Sequence, residues 1–116
     1  MTEERFEVRE VPDQSHYVLI DRGPDGTLSD EIGEVSYADV GDERVLYHTG
    51  VSEAYSGKGL GSKLVRAVVD DVVSAGKRIV PVCPYVAAWL PKHPQYADHV
   101  VERRSEHGAA VKALTR

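Results

Sequence analysis

Cysteine, phenylalanine, tryptophan and methionine each occur only once in the 116 residues. A single cysteine closes no internal disulfide and builds no thiolate metal cluster. Basic residues are outnumbered, 14 Lys and Arg against 19 Asp and Glu, giving a net charge of −5. That composition argues against a nucleic-acid partner, whose footprint is a basic patch. It does not exclude an anionic small ligand, because local charge decides that, and it mildly favours a cationic acceptor. No apolar run approaches the length that spans a bilayer. The first residues, "MTEERFEVRE", are charged and carry no apolar signal core. The expectation is a soluble cytoplasmic protein with no membrane partner. No repeat, low-complexity tract or linker interrupts the chain. Apolar residues at 41% and charged residues at 28% describe a globular composition, and 116 residues suit one domain, 1–116.

The first half of the chain reads as strands. "RFEVREV" alternates apolar and charged residues and stops at "PDQS". "HYVLI" follows, then the turn-rich "DRGPDGTLSD". "EIGEVSYADV" and "RVLYHTGV" are two further strands joined by "GDE". Together they predict an antiparallel meander of four strands. In the last of these, Val45, Tyr47, Thr49 and Val51 share one face, and Leu46 and His48 the other.

The period then changes. Leu60, Leu64, Val65, Val68, Val69 and Val72 fall on one helical face, with Gly76 where a C-cap glycine belongs. "KRIVPVC" predicts a short buried strand. "YVAAWL" and "PQYADHVVERR" predict two short helices split at "PKHP". The tail after about residue 104 is a frayed helix or disorder.

Between the fourth strand and the long helix stands "YSGKGLGSKLV", with Gly57, Gly59 and Gly61 alternating. Glycine weakens a helix, so its use at a helix start needs a reason. Loop glycines turn backbone N–H groups outward and admit a ligand where a Cβ would stand. The first N–H groups of a helix lack internal partners and carry partial positive charge, so the arrangement suits a pyrophosphate. Lys58, Lys63 and Arg66 lie at the helix start and Asp70 and Asp71 further on, a charge order that opposes the helix dipole and that a bound anion would relieve. The plainer reading is a turn with solvated lysines. A Walker loop is excluded, because Gly59 follows Gly57-Lys58 and Ser52 stands five before Gly57. A dinucleotide fingerprint is excluded by the G-x-G-x-G spacing and by the meander before it.

"SGKGLG", Ser56 to Gly61, resembles the pyrophosphate loop Q/R-x-x-G-x-G/A of the GNAT acetyltransferase superfamily. Gly59 and Gly61 match, and Ser56 stands where that superfamily usually has Gln or Arg. "YHTGV…YSGKGLGSKLV…GKRIVPVCPYVAAWLPKHPQYADHV" is similar to the small single-domain GNAT proteins of the YjdJ type, over about residues 31–101. The resemblance implies an α+β, GNAT-like fold: a mixed, mostly antiparallel central sheet with a splayed strand pair and flanking helices. It implies acetyl-CoA as co-substrate, no metal, an amine acceptor that is a small molecule or a protein, and a monomer or weak dimer. It carries CoA binding onto Val51, Ser56, Gly57, Lys58, Gly59, Leu60, Gly61, Ser62, Lys63 and Lys92, and catalysis onto Cys83, His48 and Tyr85.

Each of the catalytic candidates has a second reading. Pro81 removes a ladder donor, which fits strands that part to admit an acyl-pantetheine, with Cys83 at the strand end. A partly ionised Cys83 attacks a thioester and forms an acyl-enzyme, with His48 taking its proton; otherwise the thiol simply packs. His48 is alternatively the base for the amine, or a satisfied core group. Glu53 is a weaker base candidate. Tyr85 donates a proton to the departing CoA thiolate, or packs its ring. Trp89 and Leu90 anchor a short helix, while Lys92 and His93 meet CoA phosphates or the acceptor, or form a solvated turn. The five histidines show no i, i+4 pair and no accompanying carboxylate signature, so a metal site is not expected. The leading function is acetyl-CoA-dependent transfer to an amine. The alternatives are a non-catalytic CoA or acyl-CoA-binding module, and an acyltransferase for a longer acyl chain.

Overall fold

The computed structural model describes residues 5–55 and 57–115. Four strands build the meander, β1 (Phe6–Val11), β2 (His16–Asp21), β3 (Asp30–Val40) and β4 (Glu43–Val51), each antiparallel to its sequence neighbour; β1 alternates apolar and charged residues, whereas β2 is a buried apolar run. Gly41, at φ +59°, opens the two-residue link between β3 and β4, a conformation few other residues adopt cheaply. β5 (Arg78–Pro81) completes a sheet of order β1-β2-β3-β4-β5 and runs parallel to β4. The fold is therefore α+β, with a mostly antiparallel open sheet and flanking helices.

The long helix α1 (Leu60–Ser74) connects β4 to β5. Leu60, Leu64, Val65, Val68, Val69 and Val72 are all buried, as their spacing predicts. They pack with Tyr17, Leu19, Val35, Tyr37, Leu46 and Ile79. Each fully buried Val or Leu contributes about 1.5–3 kcal/mol of transfer free energy. The helix ends as read: Gly76 takes φ +75° one position beyond the cap Ala75, with Gly76 N–H on Val73 O and Lys77 N–H on Val72 O.

Three sequence expectations change. First, "PQYADHVVERR" is not one helix. After the short helix α2 (Pro84–Trp89), 3-10 segments of three and six residues occupy Leu90–Lys92 and Pro94–His99. Val100 is extended and bridges Ile79, and Val101 N–H reaches Ile79 O, so this segment continues the sheet edge. Second, the tail forms a docked helix, α3 (Ser105–Thr115), whose Ala110 and Val111 cover Ala38, Val45 and Val80 on the second face of the sheet. Its anchor is His107, with no exposed surface; Nδ1 accepts the Arg104 N–H and Nε2–H donates to Glu43. Third, β4 does not alternate without interruption. Ser36 pairs with His48 but Tyr37 pairs with Leu46, so Tyr47 is an extra residue opposite no partner. The bulge reverses the faces beyond it: Thr49 and Val51 join Leu46 on the α1 side, and His48 falls on the other side.

Candidate active site

Strands β4 and β5 pair only from Glu43 to Leu46 against Arg78 to Pro81. Pro81 has no N–H to extend the ladder, and the next two amides, Val82 and Cys83, both turn onto the Leu46 carbonyl, at 3.1 and 2.8 Å. β4 runs on to Val51 while the segment after β5 turns away into α2, so the two strands part. A cleft of about 260 Å³ opens there, lined by Thr49, Gly50 and Val51 of β4, Tyr55, Gly57 and Gly59 of the loop, Leu60 and Gly61 of α1, and Tyr85 of α2.

The glycines serve two purposes. Gly57 and Gly59 have φ of +78° and +73°, and a Cβ on either would meet nothing within 4 Å. They are needed for the backbone path. Gly61 has an ordinary helical conformation, but a Cβ there would stand 2.7 Å from the Tyr85 hydroxyl. It is needed for space. Gly59 caps α1 in the left-handed region, and among the described residues no side chain caps the helix start. The first amides of α1 are thus open to an anionic group beside the cleft, and the residues present fit a pyrophosphate.

The family model of the GCN5-related N-acetyltransferases matches residues 25–99. The chain belongs to that family. The matched span runs from the loop before β3 through the cleft to the 3-10 turn after α2. The fold is similar to the solution structure of a Staphylococcus aureus protein described as GCN5-like, with a TM-score of 0.62 and 25% identity over 89% of this chain and 95% of that one. It also matches the crystal structure of the ribosomal-protein-S18-alanine N-acetyltransferase from Escherichia coli, at a TM-score of 0.47 and 21% identity over 66% of this chain and 41% of that one. No curated protein matches the sequence.

Within this N-acetyltransferase fold the candidates do not form one cluster. Cys83 is 5% exposed at the start of α2, and its Sγ–H donates to Thr49 Oγ1 at 3.3 Å. The expected relay from Cys83 to His48 is absent, because the β4 bulge sends the two to opposite faces. His48 is 57% exposed, not a core group, and its Nε2 lies 3.8 Å from Glu34. It lines a groove of about 370 Å³ with Glu31, Ile32, Gly33, Glu34, Gly50, Val51 and Ser52. Groove and cleft share Gly50 and Val51, so they meet along the end of β4. Tyr85, 45% exposed, reaches the cleft across Gly61. Glu53 is exposed in a 3-10 turn just past β4.

The cations at the helix start divide. Lys58 is exposed in the loop, while Lys63 and Arg66 line a shallow groove with Phe6, Val8 and Asp70 on the β1 side of α1. Lys92 lies on the other side, with Tyr85, Ala88 and Trp89 around a hollow of about 140 Å³. Asp70 and Asp71 have their own reasons to be on α1: Asp70 accepts from Tyr96 at 2.5 Å and Asp71 from Tyr17 at 2.7 Å. Their position therefore no longer argues for a bound anion. Ser62 Oγ accepts the Trp89 indole N–H at 2.8 Å. His93 is structural, stacked on Trp89 at 3.6 Å with Nδ1–H on the Trp89 carbonyl. Ser56 lies outside the described residues. Among the described residues no group of three His, Cys, Asp or Glu is able to hold a metal, and no helix is long and apolar enough to cross a membrane.

Three cleft residues, Thr49, Gly50 and Tyr55, escaped the sequence reading. Thr49 looked like a strand residue on the wrong face, and only the bulge brings it round. Tyr55 stands two positions before Gly57, a place that "Gly-rich loop" alone does not mark as a wall.

Proposed function

We propose that this protein transfers an acetyl group from acetyl-CoA directly to a cationic amine, within one ternary complex, as a small single-domain GNAT protein of the YjdJ type. The observation that supports this reading is the parting of β4 and β5 beside a glycine-lined helix start. The open amides of Gly57 to Ser62 suit the CoA pyrophosphate, with Lys58, Lys63 and Lys92 adding charge around it. The acyl arm then runs along Thr49–Val51, where β4 has no strand partner on its β5 side.

On this reading the amine approaches from the groove that holds His48. The reacting nitrogen first gives its ammonium proton to solvent; its lone pair then forms the new C–N bond, and the His48 imidazole takes the second proton that this releases. The C–S bond breaks, and the CoA thiolate takes a proton from the Tyr85 hydroxyl at the mouth of the cleft. Cys83 is a wall behind Thr49: its proton is given to a hydroxyl, and no base touches its sulfur. The groove offers carboxylates from Glu31 and Glu34 and is lined by no lysine or arginine. Such a lining favours an acceptor with a second positive charge.

Thiol release from acetyl-CoA, followed over a panel of amines, tests the reading. Turnover should be highest for diamines or lysine-rich peptides and low for amino acids whose α-carboxylate sits beside the amine. Binding of CoA without turnover on any amine would favour the binding module instead. Absence of CoA binding would overturn both.

A further inference from the structure

We propose that Asp21, at the far end of β2, is a positioning residue for the acetyl-CoA cleft, acting through the hydroxyl of Tyr55; the proposal rests on the reading of the cleft given above. Asp21 is 1% exposed, an unusual place for a carboxylate. It accepts four hydrogen bonds: Arg5 Nε at 2.8 Å, Arg5 Nη2 at 3.2 Å, Gly23 N–H at 2.8 Å and the Tyr55 hydroxyl at 2.5 Å. A buried charge costs several kcal/mol unless it is paired and bonded in this way. Arg5 and Gly23 satisfy the carboxylate from its own neighbourhood. The bond to Tyr55 reaches a different part of the chain, the turn that leads into the glycines.

Tyr55 sits in a single 3-10 turn, Glu53–Tyr55, with its N–H on Ser52 O and the Ser52 N–H on Ile32 O. Among the described residues it is the one side chain of residues 52–59 that hydrogen-bonds to the sheet. Its side chain lines the cleft with Gly57, Gly59 and Tyr85, and the Phe6 ring packs nearly perpendicular to its own at 6.3 Å. A glycine loop has high intrinsic freedom, so a ligand that needs one loop geometry must offset the ordering entropy. A hydrogen bond from a buried carboxylate holds the wall in place before the ligand arrives. The physical state of the pair fits: the Arg5 guanidinium and the Tyr55 hydroxyl keep the Asp21 carboxyl well below the usual carboxylate range, and the carboxylate in turn raises Tyr55 above the ordinary phenol value. The tyrosine therefore stays a donor across the whole physiological range.

The test uses Tyr55→Phe, which removes one oxygen and leaves the ring on Phe6, and Asp21→Asn as a second variant. Amide hydrogen exchange without ligand should quicken about 5- to 10-fold over residues 52–61 in Tyr55→Phe, and stay unchanged for Leu19 and Val35 in the sheet. Calorimetry should show CoA affinity falling about 5- to 10-fold, matched by a rise in KM for acetyl-CoA with kcat within about twofold. The double variant should lose no more affinity than the worse single one, since both break one bond. If exchange quickens in the loop but wild-type protein binds no CoA, the cleft reading falls and the latch stands as a device for the loop alone. If loop exchange and CoA affinity both match wild type in Tyr55→Phe, the positioning role is refuted.

Discussion

Gly59 and Gly61, two residues apart at the start of α1, should answer alanine substitution differently, the first through stability and the second through the ligand. At Gly59 the backbone is at φ +73° and a Cβ would enter open space. Alanine there meets no clash, but the left-handed conformation costs it about 1 kcal/mol. For a domain of this size that lowers Tm by about 4 °C. Gly59→Asn should recover part of the loss, because asparagine tolerates that region. At Gly61 the conformation is helical, so alanine gains up to about 1 kcal/mol of helix propensity, and less in the first turn. Its Cβ would stand 2.7 Å from the Tyr85 hydroxyl and 3.1 Å from Cζ. Tyr85 is 45% exposed, so its ring can swing outward at a cost of about 0.5–1 kcal/mol. The two effects cancel, and Gly61→Ala should melt within about 2 °C of wild type. Its effect falls on the ligand: the methyl and the displaced ring both narrow the cleft, and CoA affinity should drop about tenfold, or 1.4 kcal/mol. Thermal denaturation followed by circular dichroism reads the first quantity and calorimetry with CoA the second. Gly59→Ala as stable as wild type, or a folded Gly61→Ala that binds CoA as wild type does, would refute the division of roles.

Three further outcomes follow from the site and the docked tail. His48→Gln should lower kcat by about 10²-fold or more, the usual scale for a lost general base, while CoA affinity measured by calorimetry stays the same. Cys83→Ser should keep most of the turnover, and wild-type protein incubated with acetyl-CoA and no acceptor should show no acetyl mass shift on Cys83; a stable adduct there would replace direct transfer with an acyl-enzyme. The Glu43 carboxyl is held down to about 2, from an ordinary 4.5, by bonds from Arg104 and then His107. A carboxyl depressed on folding stabilises above its unfolded value and loses that contribution as pH falls, so acid titration of the melting temperature should show a decline between about pH 4.5 and 2 that is smaller in Glu43→Gln.

Much of the architecture was legible because hydrophobic period is a local property. The apolar stripe of α1, the glycine that ends it and the meander all follow from residues close in sequence. The short strand at Arg78–Pro81 and the loss of pairing beyond it were legible from one proline. The helix assigned to residues 94–104 was not, because Val100 answers to Ile79 across a sheet edge that no local pattern reveals. The tail was ambiguous for a related reason. Its apolar side is short, and what fixes it is a buried histidine whose partner Glu43 lies 64 residues away.

The site itself turned on one residue. Strict alternation along "RVLYHTGV" put Thr49 with Val45 and left His48 with Leu46, facing the core and the cysteine. Tyr47 has no opposite number on β3, and from that point the strand's two faces exchange. The exchange brings Thr49 onto Cys83 and turns His48 out to Glu34. A bulge of one residue therefore separates a nucleophile–base pair into a packed thiol on one side of β4 and an exposed imidazole on the other. It also explains why the cleft and the groove touch only at Gly50 and Val51: they are opposite faces of the same strand end, and the absence of a side chain at Gly50 keeps the wall between them one backbone thick. An amine on the His48 side and an acyl group on the Thr49 side would then meet around the end of β4, at Gly50 and Val51, and not through the strand. Gly50→Val tests this arrangement directly. A Cβ there would lie 3.5 Å from His48 Nε2, ordinary contact, so the fold tolerates the first carbon. The branched methyl groups would fill the junction, and turnover should fall far more than CoA affinity. Equal loss of both, or of neither, would mean that donor and acceptor do not meet at this point.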